Sequence, residues 1–334
     1  MSNMPSLTNA LKTLKEVDLN TIRNQAEAPF HVAVIGAPGT GKSTLLKQLL
    51  AGPGIVGSSP LRPISEQLLN EETLIRPGSV VILMLDARES ELPLGHRALD
   101  KLRSYQVPII ACYNKLDLVQ DQQLVSNEEI LCLASEVIAF SAIDNKSVLQ
   151  NLIPALLHAY EGREMLLARN LPMLREPVSR KLIDDTCFIN ASYSLATGIA
   201  EINILLTMPV NVADIIVLTK NQALMSYKIA LACGLSSDWR QTIPKLVTVI
   251  SSAFLWRSIT RQLVGLLPVI GIIPKIAVSY AGTYTIGQAI YQWCANGVKV
   301  KPGVIGSLYT RALKKGREVA RTLVAKRRVG SHHP

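Results

Sequence analysis

The apolar positions of this chain change their spacing near its middle. In the first half they come as short unbroken runs, Phe30 to Ile35, Ser79 to Leu85, Val107 to Tyr113 and Val137 to Phe140. Runs without polar alternation predict strands covered on both faces, and the helical spacing of Thr44 to Leu50 and Arg97 to Ser104 predicts helices crossing between them. The expected fold of this half is α/β with a parallel sheet. Between Ala51 and Gly78 the pattern is less regular, opening on Pro and Gly and then showing helical spacing over Ser65 to Leu74. The second half carries four long stretches of helical spacing, about Ile183 to Thr207, Val212 to Cys233, Lys245 to Leu267 and Lys275 to Ala295, separated by Pro209, Gly234 and the Pro268 to Pro274 segment. An all-α hydrophobic domain is expected there. Near the start, Leu7, Leu11, Leu14 and Val17 predict a helix within residues 1–29.

Charge sharpens that division. Residues 1–160 carry 13 Lys and Arg against 16 Asp and Glu, a net −3, whereas residues 161–334 carry 22 against 9, a net +13. The run Leu152 to Arg180 sets Arg163, Arg169, Arg175 and Arg180 among leucines, and residues 161–181 read as a basic amphipathic connector. The tail, residues 299–334, gathers Arg311, Lys314, Lys315, Arg317, Arg321, Lys326, Arg327 and Arg328 against Glu318 alone. With Leu308, Ala312, Val319 and Leu323 on its other face it makes a basic amphipathic helix or, alternatively, a solvated end. A basic surface joined to an apolar segment suits an anionic membrane surface better than nucleic acid, which is not an expected partner. The 48% hydrophobic content excludes a disordered chain, and 334 residues leave room for two domains. Cys112, Cys132, Cys187, Cys233 and Cys294 lie far apart, so they read as buried thiols rather than as a metal site or disulfide framework. The first 30 residues hold no signal-type apolar core, which places the sheet half in the cytoplasm.

Candidate chemistry begins directly after the first apolar run. Gly36-Ala37-Pro38-Gly39-Thr40-Gly41-Lys42-Ser43 fits the phosphate-cradling P-loop pattern, with a strand expected before it and a helix, opening at Thr44, after it. Gly36, Gly39 and Gly41 let successive backbone N–H groups turn onto phosphate oxygens, and the helix start adds its positive end. Lys42 would neutralise the β- and γ-phosphates, its part in phosphoryl transfer, and Ser43 would place a hydroxyl on Mg²⁺. The Val107 to Tyr113 run ends in Asn114-Lys115-Leu116-Asp117, at the strand end where parallel sheets bind ligands. Asp117 can accept two N–H bonds from a guanine edge, Lys115 can lay its stem along the ring, and Asn114 can tie the loop to the P-loop or reach the base. The last run ends in Ser141-Ala142, where a backbone N–H could meet the guanine carbonyl.

On these motifs residues 30–160 resemble a GTPase domain of the Era-like class, a similarity that runs through Val80 to Asp117 without a break. The resemblance implies a P-loop NTPase sheet, GTP or GDP with Mg²⁺ as ligands, and possible hydrolysis of GTP to GDP. The chain also departs from the family. A switch strand ending in Asp-x-x-Gly is expected, yet no Asp occurs between Ser43 and Val80. The switch region therefore reads as shortened, with Ile55 to Leu61 as a hairpin remnant and Ser58, Ser59 and Thr73 as weak stand-ins for the switch threonine. Asp86 has two readings, a metal-side carboxylate or a cap on the turn that follows it.

Residues 182–298 resemble the hydrophobic YcjF-type domain of unknown function found in membrane-linked GTPases. The residues carrying this are Ala213 to Gln222, Leu266 to Lys275 and Tyr280 to Tyr284. The resemblance implies membrane association and no chemistry of its own. Arg257 and Arg261 argue against four simple spans; a hairpin around Gly271 that inserts or re-enters, or a compact soluble helical domain, both fit. Ala277, Ala281, Thr285 and Ala289 place small groups every four residues, suited to close helix contact. The expectation is a GTP-binding protein at the cytoplasmic face of a membrane, its nucleotide regulating association with that surface or with a protein partner not named by the sequence. The alternatives are a non-catalytic membrane scaffold with a degenerate GTPase fold, and an ATP-using enzyme, which Asn114 to Asp117 disfavours.

Overall fold

A computed structural model describes residues 19–52, 64–68, 75, 79–89, 96–119, 128–203, 212–250 and 272–330. The chain forms two compact units, one of Glu27–Pro53 with Ser59–Arg175, the other of Met1–Ala26 and Gly54–Ser58 with Glu176–Pro334. The helix α1 (Leu19–Glu27), with Leu19, Ile22 and Ala26 buried, falls almost wholly in the second.

The first unit is built on a parallel sheet of five strands, β1 (Val32–Gly36), β2 (Ile64–Leu68), β3 (Val80–Asp86), β4 (Ile109–Asn114) and β5 (Glu136–Ala139), in the order β2-β1-β3-β4-β5. Every residue of β1, β3 and β4 is buried, as their unbroken apolar runs require. The strand β2 corrects the helix expected over Ser65 to Leu74, of which residues 69–74 lie outside the described residues. Its five residues pair with β1 from Val32 opposite Ile64 to Gly36 opposite Leu68. Without it β1 would present an open row of N–H and C=O groups, and a strand with Ser65, Glu66 and Gln67 at its middle suits a sheet edge. The hairpin remnant at Ile55 to Leu61 also lies outside the described residues.

From β1 the chain steps to β2 on one side and then to β3 on the other. The strand order therefore reverses between β1 and β3, and in open parallel sheets the crevice at that reversal, beyond the carboxyl ends of the strands, is where ligands bind. The helices α2 (Lys42–Leu50), α3 (His96–Ser104), α4 (Glu128–Leu133), α5 (Ile153–Ala159) and α6 (Glu164–Asn170) complete the unit. Tyr160 pins the opposite end: its single O–H is shared between the Ser79 and Pro108 carbonyls, each 3.0 Å away, and its oxygen accepts from the Val81 N–H at 3.3 Å. Burial pushes that phenol up to about 12. In the connector region Leu166, Leu167, Leu171 and Leu174 are buried within this unit, so the sheet unit runs on to Arg175 rather than ending at residue 160.

The second unit is helical: α7 (Arg175–Asn203), α8 (Val212–Ala232), α9 (Trp239–Ile250), α10 (Ile272–Asn296) and α11 (Pro302–Gly330). Of the third apolar stretch only the part within α9 is described, so Arg257, Arg261 and the first arm of the expected hairpin lie outside the described residues. The small groups of α10 are all buried, Ala277, Ala281, Thr285 and Ala289 alike. They face protein: a methyl group added at Gly316 of α11 would stand 2.8 Å from the Ala277 carbonyl oxygen, and Ala281 and Ala289 cluster with Ile305, Tyr309 and Ala312. On another side Gly287 leaves room for Ile183 of α7 and Met225 of α8. Polar side chains also join these helices, with Asn190 donating to the Thr283 hydroxyl at 2.9 Å and accepting from Asn221 at 2.8 Å. Among the described residues, no helix is long and apolar enough to cross a membrane. Four cysteines are buried as expected, while Cys132 is exposed, because it lies on the outer side of the short α4.

Candidate functional site

The loop between β1 and α2 is shaped by its glycines. Gly39 and Gly41 take left-handed backbone angles, φ 78° and 93°, which ordinary side chains rarely adopt. At Gly41 a second constraint applies, since a Cβ would stand 2.2 Å from the Asn114 side-chain nitrogen. A Cβ at Gly36 would fall 2.4 Å from the Met84 carbonyl of β3, so only glycine lets β1 and the loop approach that strand. Thr40 is buried and donates its hydroxyl to the Ala37 carbonyl at 2.9 Å, closing the turn. The Lys42 ammonium lies inside the loop, donating to the Gly36 carbonyl at 3.0 Å and the Ala37 carbonyl at 2.8 Å. An ammonium has three donors, so one remains for a phosphate oxygen. Ala37 is half-buried, Pro38, Gly39 and Ser43 are exposed, and Thr44 is half-buried in the first turn of α2.

Asn114 ends β4 buried beside this loop. Its amide nitrogen donates to the Thr40 carbonyl at 2.8 Å, and its amide oxygen accepts from the Ala142 N–H at 2.8 Å. One side chain thus joins the three loops in which the sequence reading places its candidate residues. Of its two readings, the tie to the P-loop is the one the geometry contains. Lys115, next in the chain, has φ 67°, an uncommon state for a long side chain and one that clusters at functional sites. It opens a single helical turn, Leu116–Leu118, on which Asp117 is exposed and has no partner among the described residues.

Asp86 explains where Lys115 points. Its carboxylate pairs with the Lys115 ammonium at 2.6 Å and with the Arg88 guanidinium at 3.0 and 2.7 Å, and it also accepts from the Arg88 N–H at 3.1 Å. Arg88 first, and Lys115 with it, holds the Asp86 carboxyl well below the usual carboxylate range against the opposing effect of burial. Of its two readings Asp86 takes the turn-capping one, because both oxygens are spent on cations and a backbone N–H. Arg88 is the residue that sequence reasoning passed over; its signal was the two-residue spacing from a strand-ending Asp, the geometry of a turn closed by a carboxylate.

In the third loop the Ser141 N–H donates to the Ser147 hydroxyl at 3.1 Å and the Ala142 N–H to the Asn114 amide oxygen at 2.8 Å. Ile143, next along, is 71% exposed, as is Leu118 at 56% across the paired loops, where the Leu116 N–H donates to the Phe140 carbonyl at 3.4 Å. Among the described residues no three His, Cys, Asp or Glu side chains converge as a metal site. For Mg²⁺ the loop offers the Ser43 hydroxyl, and Ser58, Ser59 and Thr73 lie outside the described residues. No family model matches the chain, and no curated protein matches it.

Proposed function

We propose that the sheet unit is a P-loop GTP-binding domain of the Era-like kind with a shortened switch region, and that its nucleotide regulates attachment to a membrane surface or a protein partner. The observation that carries this is Asn114, at the end of β4, which bonds the Thr40 carbonyl of the loop after β1 and the Ala142 N–H of the loop after β5. A side chain joining those loops makes the phosphate cradle and the base-reading segment one rigid piece. In this reading Gly36 to Thr44 hold the phosphates, Lys42 neutralises them, and Asp117 accepts the two N–H groups of a guanine edge. Lys115 and the loop at Ser141 and Ala142 shape the walls around the ring. Mg²⁺ would meet Ser43 and the phosphates and would supply charge neutralisation.

Hydrolysis in this reading is slow or depends on a partner. The carboxylate that ends β3 is committed to Arg88 and Lys115, and phosphoryl transfer to water depends on groups that hold the metal and orient the water. The same observation favours the second reading, a non-catalytic membrane scaffold that keeps the fold. Equilibrium binding of GTP, GDP and ATP to the purified chain separates them: guanine-selective binding lost in Lys42→Ala supports the first, and absence of any nucleotide binding supports the second. The helical unit serves attachment in either reading.

A further inference from the structure

The turn between α10 and α11 differs from the rest of the helical unit's surface. α10 ends where Gly297, at φ 70°, donates its N–H to the Trp293 carbonyl at 2.8 Å, and α11 begins at Pro302. Between and just beyond these points Val298 is 67% exposed and Val304 42% exposed, and Lys299 and Lys301 are exposed beside them. This is not a loose end, because Val300 packs against the cluster of Ala281, Ala289, Ile305 and Tyr309 and fixes the turn to the two helices. The buried side of α11 packs on α10, and its outward side is rich in cations: Arg311, Lys314, Arg317 and Arg321 are exposed, interspersed with Ser307, Thr310 and Thr322 and with one acid, Glu318.

We propose that this turn is a membrane-contacting tip, on which Val298 and Val304 enter the boundary between headgroups and acyl chains while Lys299, Lys301 and Arg311 meet anionic lipid headgroups. Charge complementarity selects a polyanion, and the exposed valines select lipid over nucleic acid. A bilayer interface rewards burial of an apolar side chain, and a phosphate backbone does not. Arg311 extends the contact, since it lies seven residues beyond Val304, about two turns along the same stripe of α11. The inference rests on the membrane-surface part of the proposed function and is independent of the nucleotide.

The test is flotation of the full-length chain with vesicles of phosphatidylcholine alone and of phosphatidylcholine with phosphatidylglycerol. Double-stranded DNA and RNA serve as competing polyanions. The wild type floats with the anionic vesicles only and is released as salt rises through about 0.5 M. Replacing both lysines, Lys299→Gln with Lys301→Gln, lowers partition by about twenty-fivefold, at roughly fivefold for each. Replacing both valines, Val298→Ser with Val304→Ser, lowers it by about fivefold or more. Lys299→Arg with Lys301→Arg retains binding, and helical circular dichroism is unchanged in every variant, which separates lost contact from lost fold. Undiminished flotation of the Gln and Ser variants overturns the tip and leaves membrane attachment standing elsewhere on the chain. A wild type that floats with no vesicle overturns both, and tighter binding to DNA or RNA than to anionic vesicles overturns the choice of lipid.

Discussion

Asn114 and Thr40, 74 residues apart in sequence, are joined by a hydrogen bond of 2.8 Å from the asparagine amide to the threonine carbonyl. The bond is possible because Gly41 has no Cβ in the path of that amide, and because β4 ends at the height of the β1 loop across β3. Asn114→Ala leaves the Thr40 carbonyl and the Ala142 N–H without this partner in a buried place. The expected loss is about 2–4 kcal/mol of unfolding free energy, read from urea denaturation. Nucleotide affinity should fall by more than stability does, because both loops lose their common tie.

Gly41→Ala meets two obstacles, a left-handed backbone and the Asn114 nitrogen. The substitution should cost about 1–3 kcal/mol and abolish nucleotide binding. Gly39→Ala is the control, since it shares the backbone angle while a Cβ there meets nothing within 4 Å. It should be the milder of the two in both thermal melting and binding.

Asp86 gives a pH signature. Its carboxyl titrates lower in the folded chain than in the unfolded one, so its contribution to stability is present above the unfolded value near 3.8 and is lost as pH falls below that. The stability difference between wild type and Asp86→Asn, measured by denaturation from pH 7 to pH 3, should be flat down to about pH 5 and then shrink. A constant difference across the range would contradict the ion pair with Arg88 and Lys115.

The contact between α10 and α11 is set by Gly316 against the Ala277 backbone. Gly316→Val must push the helices apart, at a cost of about 1–3 kcal/mol seen as a lower melting temperature. The same substitution at Gly306, where a Cβ would meet nothing within 4 Å, should leave the packing intact.

Much of the sheet was legible because β1, β3 and β4 are short apolar runs without polar alternation, rich in Val and Ile and bounded by Gly, Asp or Asn, the pattern of doubly covered strands. The strand β2 was hidden, since Ser65, Glu66 and Gln67 carry no apolar signal and its reason for being a strand is the free edge of β1. At the candidate site the positions that bear ligand chemistry by residue type could be read locally. The tie through Asn114 was one of two readings that the residue type allowed, and the choice needed the third loop's Ala142 N–H. The pull of Asp86 on Lys115 could not be read, because it depends on the register that sets Asp86 opposite Asn114. In the helical unit the small-residue face of α10 was visible as a period of four, but its partner was not. The sequence pattern of small groups is the same whether the covering helix is another span in a bilayer or the basic tail, and here it is α11.

In the proposed GTP-binding reading, base selectivity would rest on the exposed Asp117 carboxylate. Asp117→Asn exchanges an acceptor for a donor, so preference should move from guanine toward xanthine nucleotides, read by competition binding. Unchanged guanine preference would remove Asp117 from the base site.

The measurement closest to the central claim is a titration of the purified chain with fluorescent GTP, GDP and ATP in Mg²⁺, followed by phosphate release on the same sample. A GTP-binding domain with a shortened switch region binds guanine nucleotides selectively, loses that binding in Lys42→Ala, and releases phosphate slowly or not at all. Equal binding of ATP and GTP, or none of either, would contradict that reading.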